Sequence, residues 1–319
     1  MASFEDTLKT LAAHQRLKPS QMKQLSGLAS EQLRQFRSIW SEMQDAERMT
    51  LMASLRRHAR DDSLADYDSI YLAAMDDPNG DVRRVAVSAV VCDDSPLLLE
   101  RLLQLCESDE EETVRAAAAE RLSGYAYEAE VGTFPEEAAR EIERVLLGRA
   151  RSEEEGTNVR ALALASAGYI SSDAVRAELK AGVQVPSLRL AAIRGIGRNI
   201  DPQFTEILVE QMGSDDASVR REAAEASADY EDTVEKLTGL VDDTVLEVRL
   251  AAISSLGKIG GPEAKDVLVY CYESRNPTIK KAASAALHEI ETQEDLLGSA
   301  GPEWEEDEEE DGEEQDEQA

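Results

Sequence analysis

The residue types that most often carry chemistry are scarce in this sequence. Among 319 residues there are three histidines and three cysteines. They are His14, His58, His288, Cys92, Cys106 and Cys271. Imidazole and carboxylate groups together bind transition metals, but only His288 is followed by an acid, Glu289. A protein metal site usually needs three or four ligands, so we predict neither a metal site nor a bound cofactor.

Motifs for nucleotide or acyl chemistry are also lacking in the sequence. Neither a P-loop nor a dinucleotide-binding glycine pattern occurs, and no serine or cysteine has a recognisable histidine partner. The segment GKIGG from Gly257 resembles part of a phosphate loop, but it follows a helical pattern and is interpreted as a turn. No two cysteines form a Cys-x-x-Cys pair, which favours a reducing compartment over a disulfide framework. The sequence therefore predicts a protein that is not an enzyme.

The charge of the chain is strongly negative. It has 66 acidic and 34 basic residues, a net charge of −32 and a pI near 4.4. Because nucleic acids and anionic membranes attract cationic surfaces, this composition disfavours both and favours protein partners. The first residues lack the apolar core of a signal peptide, and no apolar run is long enough to span a bilayer. We therefore expect a cytoplasmic protein, and the sequence leaves its oligomeric state open.

One pattern recurs seven times along the chain. Each copy places an aliphatic residue before a basic residue, here called the anchor, and an alanine three residues after it. The anchors are Arg83, Arg115, Arg160, Arg189, Arg220, Arg249 and Lys280. Their spacings are 32, 45, 29, 31, 29 and 31 residues, so the period is about 30 with one longer connection. The apolar positions share one helix face, and the small alanines let a neighbouring helix approach closely.

A second apolar-periodic segment lies between consecutive anchors, opened in places by a proline such as Pro202 or Pro262. Each period is thus a helix hairpin, which cannot bury its apolar face alone. We predict an all-α fold, an α-solenoid of about seven to eight hairpins. Glycines eight residues past three anchors are predicted to end the second helices: Gly168, Gly197 and Gly257. Acids six residues before four anchors are predicted to form a ladder with the anchor side chains: Asp77, Asp109, Glu154 and Asp243.

These copies resemble HEAT repeats, in particular the short bacterial form associated with phycobilin lyases. The resemblance covers about Leu64 to Glu291. It implies a solenoid, and it extends to scaffolds, adaptors, lyase subunits and a few enzymes. One such enzyme, deoxyhypusine hydroxylase, holds iron with several His-Glu pairs at equivalent positions of its repeats. In the fifth copy, SVRREAAEAS, the equivalent position holds Arg221, which cannot ligate a cation.

The N-terminal residues 1–62 are helical in pattern but do not follow the repeat. They are predicted to form a helical cap, in which the second of two amphipathic helices has the character of a degenerate repeat. Terminal repeats need an atypical outer face, so capping is the favoured role. Docking of a partner on Phe36 and Trp40 is the alternative.

The repeat array is assigned to residues 63–292, with the longer connection at about 124–158. Tyr125, Tyr127 and Phe134 are predicted to cluster in the first loop of this connection. Long connections in repeat arrays often bind partners, but aromatic residues in a loop also pin it to the body of the protein. The sequence leaves both roles open.

The exposed face of the second helices is expected to line a concave groove. We hypothesise a basic patch there, formed by Arg194, Arg198, Arg221 and Lys258, with Glu225 beside it. Such a patch would receive an acidic partner segment or the chain's own tail, and small residues around it suit a helix or an extended peptide. The alternative is an ordinary solvated face with mixed charges. The tail, residues 293–319, is predicted to be disordered, since twelve acids lie between residues 303 and 317.

Taken together, the residues and the resemblance predict a non-catalytic scaffold or adaptor that binds an unidentified protein through its groove and its longer connection. An alternative is a phycobilin-lyase-type chaperone or lyase subunit for a tetrapyrrole protein, which only the resemblance favours. A less favoured third is a helical-repeat DNA glycosylase, which needs a strongly basic groove with aromatic residues. No nucleic acid or membrane partner is expected.

Overall fold

A computed structural model describes residues 3–90 and 95–299, and side chains up to residue 294. Every regular element in these ranges is a helix, which confirms the predicted all-α fold. The chain divides into two compact units, Met1–Thr233 and Val234–Ala319. Each unit is described by itself below.

The first unit begins with four helices before the regular repeats. They are α1 (Phe4–Ala12), α2 (Pro19–Met22), α3 (Ser30–Glu42) and α4 (Asp45–Asp61). Five hairpins follow, and their first helices are α5 (Asp68–Ala74), α7 (Pro96–Ser108), α9 (Glu136–Arg151), α11 (Asp173–Val183) and α13 (Thr205–Gln211). Their second helices are α6 (Gly80–Ala89), α8 (Glu112–Glu130), α10 (Thr157–Ala167), α12 (Arg189–Asn199) and α14 (Ala217–Ala226). Short 3-10 turns span Lys23–Leu25, Pro202–Phe204 and Glu231–Thr233.

The second unit contains two further hairpins. Their helices are α15 (Val234–Leu240), α16 (Leu246–Ile259), α17 (Gly261–Tyr272) and α18 (Pro277–Ser299). Helix α18 continues past residue 293, so the predicted start of the tail is too early. The rest of the predicted tail, residues 300–319, lies outside the described residues, as does Cys92.

The hairpins of the first unit form two layers. Consecutive second helices pack against one another from α4 through α14, and more extensively than consecutive first helices do. The repeat pattern explains this, because the aliphatic residue before each anchor and the alanine after it are buried. In the α6 copy, Val82 and Ala86 are fully buried, and in the α8 copy so are Val114 and Ala118. The surface of the second helices that faces away from the first helices is here called the inner face.

The anchor arginines hold the turns of the hairpins. Five anchors donate a hydrogen bond to the backbone carbonyl six residues earlier, at 2.7 to 3.0 Å. They are Arg83, Arg115, Arg189, Arg220 and Arg249. These carbonyls lie at or just past the end of the first helix, where acceptors lack partners within the helix. Each anchor therefore lies on a second helix and caps the C-terminal end of the first helix before it.

Two rungs of the predicted ladder of acids form in the first unit, one of them with a different acid from the one predicted. Arg83 donates from Nε and Nη2 to the Asp109 carboxylate of the next hairpin, both at 2.8 Å. Arg115 donates in the same way to Glu155, at 2.9 Å. The prediction of Glu154 is wrong, because Glu155 is the side chain that turns inward while Glu154 is exposed.

The N-terminal helices α3 and α4 both contact the first regular hairpin. Helix α4 packs on α6 in the layer of second helices, and Arg48 Nε lies 3.2 Å from an Asp77 carboxylate oxygen. Arg48 thus contacts an acid of the next hairpin, as the anchors Arg83 and Arg115 do. Trp40 is nearly buried and donates from Nε1 to Asp77 at 2.7 Å, and Phe36 is buried beside it. Their burial fits the capping role.

Of the three glycines eight residues past the anchors, Gly168 ends its helix as predicted, whereas Gly197 and Gly257 do not. Gly197 lies inside α12 and Gly257 inside α16, so only Gly168, next to the end of α10, is a helix end. A Cβ at Gly168 would lie 2.4 Å from the Gly195 carbonyl oxygen, and one at Gly197 would lie 2.8 Å from Ala226 Cα. These glycines let neighbouring second helices touch through their backbones.

Candidate functional site

A group of polar and aromatic side chains lies on the inner face of α8 to α14. We call it the inner-face cluster. It consists of Tyr127, Tyr169, Arg194, Arg198, Arg221, Glu222 and Glu225. The contacts among these residues run from Tyr127 on α8, through Tyr169 in the turn just after α10 and the arginines of α12, to Glu225 on α14. The cluster contains five of the eight residues that the sequence predicted as binding residues.

Glu222 is the centre of the charged part of the cluster. It is buried, and its carboxylate accepts from Nε and Nη2 of Arg194 at 2.9 and 3.0 Å. Arg221 Nη2 lies 3.7 Å from the same carboxylate, and Arg221 Nη1 donates to Glu225 at 2.7 Å. About half of the Arg194 side chain remains exposed, 47%. Two arginines and two carboxylates therefore balance one another.

This balance corrects the hypothesis of a basic patch. Arg194 and Arg221 are paired with carboxylates, and Glu225 is a partner of Arg221 rather than an isolated acid. Lys258 lies in the second unit, on α16, where it is exposed. The sequence alone does not identify Glu222 as a partner of Arg194, because that contact joins residues 28 apart.

Arg198 is half-buried and stacks on an aromatic ring. Its guanidinium lies 5.0 Å from the Tyr169 ring centroid, and its Nη1 donates to the Ala165 carbonyl at 2.8 Å. Burial lowers the pKa of Arg198, and the nearby Arg194 adds to this effect. Such stacking stabilises a guanidinium whose water has been removed. Arg198 is therefore a fixed part of the surface.

The aromatic residues of the longer connection are placed differently from the prediction. Tyr125 and Tyr127 lie on α8, which continues to Glu130, and only Phe134 lies in the loop after it. Tyr125 is fully buried and packs on Phe134 at 5.6 Å between ring centroids, so this pair pins the connection to the body. Tyr127 is half-exposed and meets Tyr169 edge to face at 5.6 Å. Of the three, Tyr127 alone belongs to the inner-face cluster.

Two further polar side chains, Ser227 at the end of α14 and Tyr230 after it, donate hydrogen bonds to backbone carbonyls. Ser227 is buried and its hydroxyl donates to the Ala223 carbonyl at 2.8 Å. Tyr230 donates from its hydroxyl to the Ile196 carbonyl of α12, also at 2.8 Å. Burial raises the pKa of the Tyr230 hydroxyl above its ordinary value. The Tyr230 bond ties the segment after α14 to α12, the helix that carries Arg194.

His288 is the histidine that an acid follows in the sequence. It lies within α18, is largely exposed and has Nδ1 3.9 Å from a Glu291 carboxylate oxygen. Over residues 3–90 and 95–299, no group of three or more His, Cys, Asp or Glu residues is arranged to hold a metal ion. In the same ranges, no helix combines the length and the apolar character needed to cross a membrane.

Residues 226–288 match the family of HEAT repeats. No curated protein sequence matches the chain. Among solved structures, the chain is similar to YibA of Escherichia coli at 17% identity, covering 87% of this chain and 99% of that one with a TM-score of 0.47. It is similar to an engineered protein at 22% identity, covering 61% and 96% with a TM-score of 0.40. Human deoxyhypusine hydroxylase has 13% identity, 91% and 96% coverage and a TM-score of 0.34. At TM-scores below 0.5 these likenesses carry no argument about activity.

Proposed function

We propose that this chain, a HEAT-repeat protein, is a non-catalytic cytoplasmic scaffold that binds a protein segment along the inner face of α8 to α14. HEAT repeats commonly mediate protein interaction, and the inner-face cluster is the part of the first unit best suited to it. The observation that carries the proposal is Glu222, a buried carboxylate that holds the half-exposed Arg194.

Glu222 is not needed by the repeat. At the equivalent position, two residues after the anchor, the other copies have Val85, Ala117, Leu162, Ala191, Ala251 and Ala282. Taking a carboxylate out of water costs free energy, so a small apolar residue would serve the fold at least as well. The cost is explained if Arg194 has to be held in one position for a partner.

A fixed arginine suits recognition because little rotamer freedom remains to be lost on binding. Tyrosine and arginine are also the side chains that most often dominate protein interfaces. In the cluster, Tyr127 offers a half-exposed ring, and Arg194 offers the guanidinium nitrogen that Glu222 leaves unused. We infer that the partner segment places an apolar side chain on Tyr127 and a carboxylate or carbonyl near Arg194.

The balanced charge narrows the class of partner. A duplex-binding surface needs several unpaired cations for phosphate groups, whereas Arg194 and Arg221 are already paired. The proposal therefore favours a peptide segment with mixed polar and apolar groups over the strongly acidic segment that the sequence favoured.

A charge swap tests the proposal. Arg221→Glu with Glu225→Arg keeps the net charge and an i,i+4 pair but reverses the charge order on the inner face. The matched control, Glu136→Arg with Arg140→Glu, swaps an exposed i,i+4 pair on α9. Proteins captured from the native cell are then quantified by mass spectrometry for the wild type and both swaps.

We expect the inner-face swap to recover its partner at least fivefold less, which corresponds to about 1 kcal/mol of binding free energy. The α9 swap should recover it as the wild type does. Equal recovery with all three proteins, at equal helical content by circular dichroism, would mean that the inner face is not the binding surface.

A further inference from the structure

A cationic and aromatic patch surrounds the turn between α17 and α18 in the second unit. Tyr270 and Tyr272 are exposed, at 60% and 43%, and Lys280 Nζ lies 4.7 Å from the Tyr272 ring centroid. Arg275 and Lys281 are exposed in the turn and in the first turns of α18. These five residues are here called the terminal-hairpin patch. A cavity of about 500 Å³ beside it is lined by Tyr270 and the buried Ile279, among others.

The patch is cationic in a chain that is otherwise acidic. Residues 274–288 contain no aspartate or glutamate, whereas acids outnumber basic residues nearly twofold in the whole chain. In the part of the chain that the structure describes, no ion pair joins Arg275, Lys280 or Lys281 to a carboxylate. Asp242 and Glu273 line the neighbouring cavity and offset part of this charge. Three exposed cations without acidic partners therefore remain.

We propose that the chain's own C-terminal segment, residues 300–319, docks on the terminal-hairpin patch. The segment carries twelve acids between Glu303 and Glu317, so its charge is opposite to that of the patch. It begins directly after Ser299, the last residue of α18, so both the segment and the patch belong to the second unit. Docking there also covers Tyr270 and Tyr272, which otherwise form an exposed aromatic surface.

The length of the segment is sufficient. A helix rises about 1.5 Å per residue, so Lys280 lies roughly 28 Å from Ser299 along α18. An extended chain advances about 3.3 Å per residue, and about nine residues therefore bring it back level with Lys280. The eight acids from Glu308 to Glu317 follow that point, so they are the ones that reach the patch.

The contact consists of several exposed charge pairs, each weak and screened by salt. It should therefore form at low ionic strength and open at high ionic strength, or when a more acidic segment competes for the patch. This proposal does not depend on the inner-face cluster, which lies in the first unit.

Carbodiimide cross-linking of the full chain tests the contact directly. This reagent joins a carboxylate to a lysine amine in contact with it, and mass spectrometry identifies the joined residues. At low salt we expect links from acids beyond Asp307 to Lys280 or Lys281, and none to the exposed Lys9 of the first unit. Links that are absent, or that are equally frequent to Lys9, would overturn the proposal.

Digestion with a glutamate-specific protease gives an independent readout. Reversal of Arg275, Lys280 and Lys281 to glutamate should speed cleavage of the C-terminal segment at least fivefold, and the difference should vanish at high salt. The control reverses Lys9, Arg16 and Lys18, which changes the net charge equally. Equal cleavage rates, or protection that rises with protein concentration, would overturn docking on the chain's own patch. If the reversal variant loses helical content, the cross-links formed by the wild-type chain alone test the proposal.

Discussion

Replacing glycines by alanine at two kinds of position should change stability with opposite sign. Gly197 and Gly257 lie inside second helices that touch a neighbouring helix. Gly148 in α9 and Gly239 in α15 are also helical, but a Cβ there would meet no atom within 4 Å. Each unit thus contains one glycine of each kind, and the same substitution can be compared within a unit.

The magnitude follows from two opposing effects. Alanine is favoured over glycine inside a helix by about 1 kcal/mol. At Gly257, however, the new Cβ would lie 2.7 Å from Ala286 Cβ and 2.9 Å from its Cα, where ordinary contact begins at 3.4 Å. The two helices would have to separate by roughly 1 Å, and overpacking of this kind typically costs about 1 to 3 kcal/mol.

We therefore expect Gly197→Ala and Gly257→Ala to lower the free energy of unfolding by up to about 2 kcal/mol. Gly148→Ala and Gly239→Ala should raise it by about 0.5 to 1 kcal/mol. Urea unfolding followed by circular dichroism at 222 nm measures all four against the wild type. If Gly197→Ala or Gly257→Ala is as stable as its control, the close helix approach inferred from these glycines is wrong.

Three further predictions concern the ladder and one strained residue. Asp109→Ala removes the buried carboxylate from Arg83 and leaves it only the exposed Glu110, 3.4 Å away, so it should destabilise the chain by roughly 3 kcal/mol in urea unfolding. Glu136→Ala, at an exposed pair, should cost below about 1 kcal/mol, and equal effects of the two substitutions would refute the ladder. Burial acts to raise the pKa of Glu155, but hydrogen bonds and charge from Arg115 and Arg149 outweigh it, so the pKa lies below its ordinary 4.5. The stability that this carboxylate contributes is then complete above pH 4.5 and is lost as the pH falls through the lower pKa of the folded state. The difference in free energy of unfolding between wild type and Glu155→Gln should therefore shrink only in acid. A difference that grows in acid would contradict the direction of the pKa shift. Ile200 ends α12 at a φ of 55°, a left-handed conformation that costs a β-branched residue about 1 to 2 kcal/mol, so Ile200→Gly should raise the thermal midpoint rather than lower it.

The fold was predictable because its signal is repeated. A buried aliphatic residue, an anchor and an alanine recur seven times, and each copy independently indicates the same amphipathic helix. The relation of α4 to the second helices of the repeats was harder to recognise, since Glu47 stands where the seven copies have an aliphatic residue before the anchor. Arg48 shows its equivalence only through its contact with Asp77 in the next hairpin.

The candidate site was predictable as a surface but not as a network. Helical periodicity placed Arg194, Arg198 and Arg221 on one face of the second helices, and that placement needs only local geometry. The pairing of Arg194 with Glu222 depends on how two repeats stack, which the spacing of residues does not specify. The close helix contact at Gly197 also depends on how the repeats stack. From the sequence alone, a glycine near the end of a helical pattern indicates the end of the helix.

Photo-cross-linking from the inner face tests the central proposal most directly. A benzophenone amino acid is placed at Tyr127 and, as a control, at the exposed Leu97 of α7, and the protein is irradiated in its native cell. The proposed scaffold role predicts a discrete protein adduct from position 127 that is absent from position 97 and weakened by Glu222→Gln, which releases Arg194 from its carboxylate. No adduct from position 127, or the same adducts from both positions, would contradict a binding surface on the inner face.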